Sequence, residues 1–442
     1  EVYRIYRRPG HDVTSEDRRW LAAAAAAAKP RLQPRAAQRL DDLFAALVDE
    51  LPPGSPQAML AMRWQQLTSP ATAKGVEDTA IYTPGGLLAL ADVGSEPDGT
   101  IDRKSMDAFL ADRARTSPYG LSALSTHDSK RSCDARCRLA ALSEFSERWC
   151  DVVDRLERHA VGDQPDAADR RYFYQSALAI WPLDGQEDAN LTTRLVDHMT
   201  KASREAKRHT SWTAPDAGYE SAMTDFVETF LADGQRTTLL AAIVEEIAPA
   251  AVARSLAAVV LRAISPGVPD VYQGDDQWML ALVDPDNRGN VDVAAHFAGL
   301  RALPDLASAD LVTNWQNGRV KQLTVRNSLR WRRGLTEPSR MQVDPLVIEG
   351  PGSDAGYALR RGAGSGGAVG VITKAPGTIA GPGAFATGDV WKGTDLDVSP
   401  LGASALTDVL TGQVHKPTAS GRVALSDVLS VLPVALLSAT AG

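Results

Sequence analysis

The sequence predicts an α/β chain with a small antiparallel β region appended on its C-terminal side. Three observations lead there. Up to about residue 335, long helical patterns alternate with short apolar runs, "EVYRIY", "LSALST" and "GVPDVYQG", and strands spaced by helices make parallel βα units. From about residue 336 the texture changes to glycine-rich sequence with brief β-type runs, "PLVIE", "GYALR" and "AVGVI", which suggests a small antiparallel β-sandwich. Finally, 442 residues with 44% hydrophobic and 23% charged content suit two or three domains, or one large barrel with an appendage. The expected division is therefore 1–335 and 336–442.

The elements follow in order. "EVYRIY" reads as a strand. "SEDRRWLAAAAAAAK" reads as a helix with Thr14 and Ser15 as candidate caps, and Thr14-x-x-Asp17 makes a capping-box pattern. "AAQRLDDLFAALVDEL" has apolar residues at helical spacing and stops at Pro52-Pro53-Gly54. Further helices are expected around 129–160, 169–180, 189–207, 219–232, 236–247 and 250–263. In the tail, "ALTDVLTG", "GRVALSD" and "VLPVALL" continue the β pattern. No repeat of fixed period is visible.

Composition narrows the partners. A net charge of −8 argues against nucleic acid, because phosphate binding needs a basic face. No run of about 18 apolar residues is read in the sequence, so a membrane partner is not expected. Three cysteines, Cys133, Cys137 and Cys150, suit a reducing compartment and a cytoplasmic location. Cys133 and Cys137 share a helical spacing, but no histidine completes a common zinc pattern, and packed thiols explain them better. The first residue is Glu1 rather than methionine, and the opening reads as already inside a strand. Residues upstream are expected.

Four clusters carry polar chemistry. "ALSTHDSKRSCDAR" places His127 and Asp128 where a strand ends and a helix is expected from Ser129. In a βα barrel such strand ends face the active site, although an Asp capping the next helix accounts for the same spacing. "SPGVPDVYQGDDQW" reads as a helix end, a buried strand and a polar mouth. "AKGVEDTAIY" crowds Lys74, Glu77, Asp78 and Tyr82 together; such charges beside a ring suit a polyhydroxyl ligand, and equally a surface loop. "LVDPDNRGNVD" carries Asp284, Asp286, Asn287 and Arg288 on a proline-containing turn, which an ordinary Asx-rich turn also explains.

Taken together and in order, "AKGVEDTA-Y", "LSTHD-KRS-D-R-R", "HTSW--P---YE", "PGVPDVYQG", "LVDPDNR" and "G-VKQ" resemble the maltooligosyltrehalose synthase family of the α-amylase superfamily. His-Asp marks only the superfamily, whereas "KGVEDTA" with "DPDNR" singles out this family. The resemblance runs from residue 1 to the terminal "LPVALL". It implies the later part of a (β/α)8 TIM barrel followed by the C-terminal β domain. It also implies an intramolecular transglycosylation, in which the reducing-end α-1,4 linkage of a maltooligosaccharide becomes α,α-1,1. No metal or organic cofactor is implied. Asp128 matches the superfamily's third carboxylate, which supports the oxocarbenium-like transition state. His127 matches the histidine that hydrogen-bonds the sugar beside it. Lys74, Glu77, Tyr82, Asp284 and Arg288 fall in motifs that line the reducing-end side, where the released glucose must be held while it turns. A mutase has to keep its leaving sugar in and water out.

Retaining glycoside chemistry also needs a nucleophilic carboxylate and a separate acid/base, roughly 5 Å apart. The superfamily carries the nucleophile in a Gly-x-Arg-x-Asp run, and this sequence has none; "QRLDDLF" lacks the glycine and lies in a helical pattern. The expected partner is thus an N-terminal half of the same enzyme, and the chain alone is expected to be inactive. Two other readings stay open: a catalytically silent α-glucan-binding remnant and a plain α-glucan hydrolase. Several positions depart from the family pattern. Cys133 stands for a usual Glu, Asp276 for Glu and Met279 for Asp. Ile81 and Thr83 replace an aromatic residue and an arginine. A lost ring removes a sugar-stacking platform, on the order of 1 kcal/mol.

Overall fold

Thr14 caps its helix as the spacing to Asp17 predicts. Its hydroxyl accepts from the Asp17 backbone N–H at 3.0 Å and donates to the Asp17 carboxylate at 2.8 Å, and the helix Ser15–Ala28 follows. Ser55 does the same for Pro56–Thr72, with Pro56 in the first turn, where no N–H is needed. Together with Pro34–Val48, these helices enclose a small core of Ile5, Leu21, Leu47, Leu51, Ala58 and Ala61, with Phe44 and Trp64 packed against it.

The structure, a computed structural model, describes residues 5–83, 85–95, 100–159, 162, 165–183, 188–336 and 341–439. The helices just named belong to a smaller unit, Glu1–Thr83 with Ala202–Pro215; the rest, Pro84–Lys201 and Asp216–Gly442, forms a larger one. Residues 1–4 of the expected first strand lie outside the described residues, and Ile5 and Tyr6 join no strand. The reason is local. Side chains take the donors a strand would offer a neighbour: Asp17 accepts from the Tyr6 N–H at 3.2 Å, and Gln65 from the Arg7 N–H at 2.6 Å. The buried Arg7 guanidinium then ties the segment to the carbonyls of Leu47 and Asp49.

In the larger unit, the strands expected from "LSALST" and "GVPDVYQG" are short. β1 (Leu121–Ala123) and β2 (Val268–Asp270) pair in parallel, Leu121 opposite Val268 and Ala123 opposite Asp270. Between them run Cys133–Ala141, Ser146–Arg158, Ala167–Ile180, Leu191–Ala206, Ala217–Ala232 and Gly234–Ile264. The last of these was expected as two helices broken near Pro249. It is one, and Pro249 sits buried inside it. Proline removes a ladder donor and costs about 3 kcal/mol. Burial of the Val, Leu, Ile and Ala side chains around the second half outweighs that loss. This helix is also long and apolar enough, by length and composition, to cross a membrane, contrary to the expectation from the sequence. Of its most apolar window, 78% is buried inside the protein.

The glycine-rich end forms two antiparallel sheets. The first contains β3 (Val343–Leu346), β5 (Gly356–Arg361), β6 (Ala368–Thr373), β8 (Leu406–Asp408), β9 (Val414–His415) and β11 (Val434–Ala439), in the order β3-β5-β6-β11-β8-β9. The second is β10 (Arg422–Ala424), β7 (Asp395–Asp397) and β4 (Ile348–Glu349), in that order. Side chains of the larger sheet alternate. Tyr357, Leu359, Ile372, Val434 and Leu436 pack with Val252, Leu256, Val260 and Ile264 of the long helix. Ala358, Val369, Val371, Ala435 and Leu437 pack instead with Leu396, Val423 and Trp391. Both faces are covered, which is why these strands read as continuous apolar runs. Gly370 lies close against the helix. A Cβ there would meet Ile264 Cγ2 at 3.1 Å and Val260 Cγ1 at 3.2 Å.

Candidate active site

Parallel pairing of β1 and β2 sends the chain out of both strands at the same edge, so the loops that follow them are neighbours. The loop after β1 is a turn and not yet a helix. Helix is expected from Ser129 but begins at Cys133, because the intervening hydroxyls bond locally. The Ser129 hydroxyl accepts from the Thr126 N–H at 2.9 Å, the Thr126 hydroxyl accepts from the Asp128 N–H at 3.2 Å, and the Ser125 hydroxyl accepts from the Cys133 N–H at 2.9 Å. His127 and Asp128 ride the crest of this turn, with side chains 63% and 64% exposed.

Asp128 is therefore not the helix cap that spacing also allowed. Among the described residues no backbone amide holds its carboxylate. One oxygen lies 3.4 Å from His127 Nε2, and the other 3.5 Å from the Arg288 guanidinium. Both contacts are long and solvated, so they orient the carboxylate without committing it.

Arg288 reaches Asp128 because Asn287 fastens the two loops together. The buried Asn287 amide donates towards the carbonyls of Thr126, His127 and Ser129 at 3.4, 3.2 and 3.3 Å. The Asn287 backbone carbonyl accepts from the Tyr272 hydroxyl at 3.1 Å. Two cations of Leu191–Ala206 brace the same loop from behind. Arg194 holds the Asp286 carboxylate with two bonds, 2.7 and 2.9 Å, and also Asp188 at 2.6 Å. Burial pulls the Arg194 guanidinium down, but Asp286 and Asp188 outweigh it and the net shift is upward. Lys201 holds Asp284 through the carboxylate at 2.7 Å and the carbonyl at 2.9 Å. Asp284 thus enters the site as a paired group. His198, on the same helix, stacks on Tyr172 at 5.8 Å. Burial, then the charges of Arg131 and Lys201, depress it to about 3, so it stays neutral.

Beneath the two loops lies a buried ion cluster. The Lys321 ammonium donates to Asp134 at 2.7 Å, to Asp275 at 2.9 Å and to the Gln277 carbonyl at 2.9 Å. Asp134 starts the helix after the His-Asp turn, Asp275 follows β2, and Lys321 comes from Arg319–Arg333. Burial raises the Asp134 carboxyl above the usual carboxylate value, and Lys321 offsets this only in part. For Lys321 itself burial pulls downward, but the two carboxylates prevail and the net shift is upward.

The "AKGVEDTAIY" segment belongs to the smaller unit. Ala73–Glu77 is a single π-helical turn closing the Pro56–Thr72 helix, a form frequent at functional sites. Lys74 projects into solvent and pairs with Asp78. Glu77 is half-buried, and Tyr82 is 2% exposed. Stacking a sugar on Tyr82 therefore requires the ring to become accessible.

The comparisons with known proteins bear on this geometry. No protein-family model matches the chain. A Mycobacterium tuberculosis protein described as a maltooligosyl trehalose synthase, found in two strains, is 33% identical over 381 residues, covering 85% of this chain and 45% of its own length. The structure of maltooligosyltrehalose synthase from Arthrobacter ramosus superposes with a TM-score of 0.81 at 32% identity, over 99% of this chain and 52% of that one. The chain is a homologue of the maltooligosyltrehalose synthases. It spans about half the length of the curated relatives it matches. A Sulfolobus tokodaii structure described as a hypothetical maltooligosyl trehalose synthase, 23% identical with a TM-score of 0.73, adds the shared fold. That fold is of the α-amylase type.

Set against these synthases, the motifs divide into two kinds. His127, Asp128, Asp284 and Arg288 gather in the larger unit, and Lys74, Glu77 and Tyr82 in the smaller. The sequence reading missed Arg194, Lys201, Asn287 as a fastener, and Lys321 with its carboxylates. A partial signal existed for the first two, since Arg194 and Lys201 lie two helical turns apart and share one face. Nothing in the local sequence tells that Lys321 meets Asp134.

Proposed function

We propose that this chain supplies the third carboxylate and the reducing-end loops for conversion of a maltooligosaccharide's terminal α-1,4 linkage to α,α-1,1. The observation that carries the reading is the Asp128–Arg288 approach, with the carboxylate held by long contacts at an exposed edge. In it, Asp128 faces the ring hydroxyls and the developing positive charge at the anomeric carbon, which a negative group stabilises. His127 adds a hydrogen bond beside it. Arg288, Lys74, Glu77, Tyr82 and Asp284 serve the leaving glucose, which has to turn in place and reattach through its anomeric hydroxyl before water intervenes. Residues 1–335 then form the later part of a (β/α)8 barrel with helical insertions, and 336–442 the C-terminal β domain. No Gly-x-Arg-x-Asp run occurs, so the nucleophile and acid/base carboxylates come from polypeptide beyond these residues, and the protein acts in the cytoplasm on α-glucan.

A binding titration with maltopentaose beside an assay for non-reducing product tests the proposal. Alone, the chain is expected to bind the glucan without converting it. Product appears when polypeptide bearing the two other carboxylates is present. Failure to bind glucan, or release of free reducing sugar as the main product, overturns it.

Arg288→Ala gives a separate expectation. Without the guanidinium the leaving glucose escapes more often, so the ratio of free glucose to trehalose-terminated product rises several-fold in the converting enzyme. An unchanged ratio removes Arg288 from the retention role.

A further inference from the structure

Cys133 and Cys137, expected from the sequence as packed thiols, face each other on the helix Cys133–Ala141 with their Sγ atoms 3.9 Å apart. Cys133 is buried and Cys137 half-buried, so one sulfur is covered while the other keeps an approach from solvent. The Cys133 end is fixed, because its backbone N–H donates to the Ser125 hydroxyl at 2.9 Å. Nothing in the chemistry proposed above uses either thiol. Their separation decides what they suit. A disulfide needs sulfurs about 2 Å apart, which this pair does not meet. With metal–sulfur bonds of about 2.3 Å, as in zinc sites, two sulfurs stand roughly 3.8 Å apart at a tetrahedral angle and about 4.6 Å apart in line. The observed 3.9 Å lies within that span.

We propose that Cys133 and Cys137 form a two-sulfur site for a soft monovalent cation of the Cu(I) class. Thiolate sulfur favours Cu(I), an ion satisfied by two ligands. Zinc takes four, and among the described residues no further histidine, cysteine or carboxylate joins the pair as a third. The surroundings support the deprotonated state that binding needs. The hydrogen bond between the thiols is the largest influence on each, pushing Cys133 up and Cys137 down; burial raises both, and the Arg136 guanidinium lowers both. Cys137, whose net shift is downward, supplies the first thiolate. Arg136 is itself held by Asp92 at 3.4 Å. Binding exchanges two S–H protons, released to solvent, for one cation. The complex of two thiolates and one Cu(I) then carries a single negative charge beside the Arg136 guanidinium.

In a titration under reducing, oxygen-free conditions, the full chain is expected to withdraw one Cu(I) from its bicinchoninate complex. X-ray absorption at the copper edge is expected to show two sulfur neighbours. Cys150→Ser keeps this uptake, since the exposed Cys150 thiol takes no part in the pair. Cys137→Ser weakens it beyond the roughly 10–100-fold that outer-shell partners are worth, because one of two direct ligands is gone. No uptake by the wild type, a single sulfur neighbour, or wild-type affinity in Cys137→Ser overturns the site. Loss of uptake in Cys150→Ser does the same. If Cys137→Ser fails to fold, the wild-type absorption spectrum and Cys150→Ser still decide. None of these outcomes bears on glucan binding by the metal-free chain, so the two proposals stand or fall separately.

Discussion

Asp128→Asn is expected to cut trehalose-terminated product by several orders of magnitude, measured in protein that also carries the nucleophile and acid/base carboxylates. The substitution keeps shape and size but removes the negative charge where positive charge develops, and such stabilisation acts mainly in the transition state. Glucan affinity is expected to change little by comparison, because the amide can still bond hydroxyls. Folding is expected to be nearly untouched. The side chain is 64% exposed, and its contacts with His127 and Arg288, at 3.4 and 3.5 Å, are weak surface ones. A thermal unfolding midpoint within error of wild type, together with a collapsed rate, is the result that assigns a chemical role. Activity near wild type means that the His-Asp turn has another purpose.

Lys321→Met is expected to have the largest effect on stability, about 3–5 kcal/mol, since it removes one side of a buried ion cluster and leaves charge behind. Asp134 and Asp275 are 3% and 1% exposed, so water cannot replace the lost ammonium. The deficit has a predictable pH dependence. Burial already holds the Asp134 carboxyl above its ordinary value, with Lys321 as the main opposing influence. Without the lysine this upward shift grows. A carboxyl whose folded-state pKa is raised favours the folded state while protonated, and loses that advantage as pH rises through the folded value. The variant should therefore approach wild type on acidification towards about pH 4, the ordinary carboxylate range, and fall furthest behind near neutrality. Denaturant midpoints across that window measure it. A loss below about 1 kcal/mol, the scale of an exposed pair, or a deficit independent of pH, shows that the cluster is not the brace it is taken for. Because the cluster underlies both loops, the variant should also loosen glucan binding.

Local chemistry was readable before any coordinates. Thr14 with Asp17 is a cap whose partner lies within one turn, so spacing alone identifies it. The antiparallel strands of the C-terminal end were legible for a similar reason. β5 with β6 and β8 with β9 are partners close in sequence with glycine in the turns, whereas β11 comes to β6 and β8 from far along the chain. The His-Asp turn and the DPDNR loop were recognisable as a set because their order along the chain is distinctive. The extent of each element was less legible. The helix after Asp128 starts late because Ser125, Thr126 and Ser129 bond to nearby backbone. The Gly234–Ile264 helix passes through Pro249 because tertiary burial outweighs a local break.

Sequence by itself determined which residue types are available at the site, the order of the motifs, and the kinship with maltooligosyltrehalose synthases, because each is written in contiguous residues. Only the tertiary structure decided that Asn287 bridges to the His-Asp turn, that Arg194 and Lys201 brace the acidic loop, and that Lys321 lies between Asp134 and Asp275. These contacts join residues far apart in the chain. Their strength comes from exclusion of water, and burial is a property of the packed molecule that no single stretch of sequence carries.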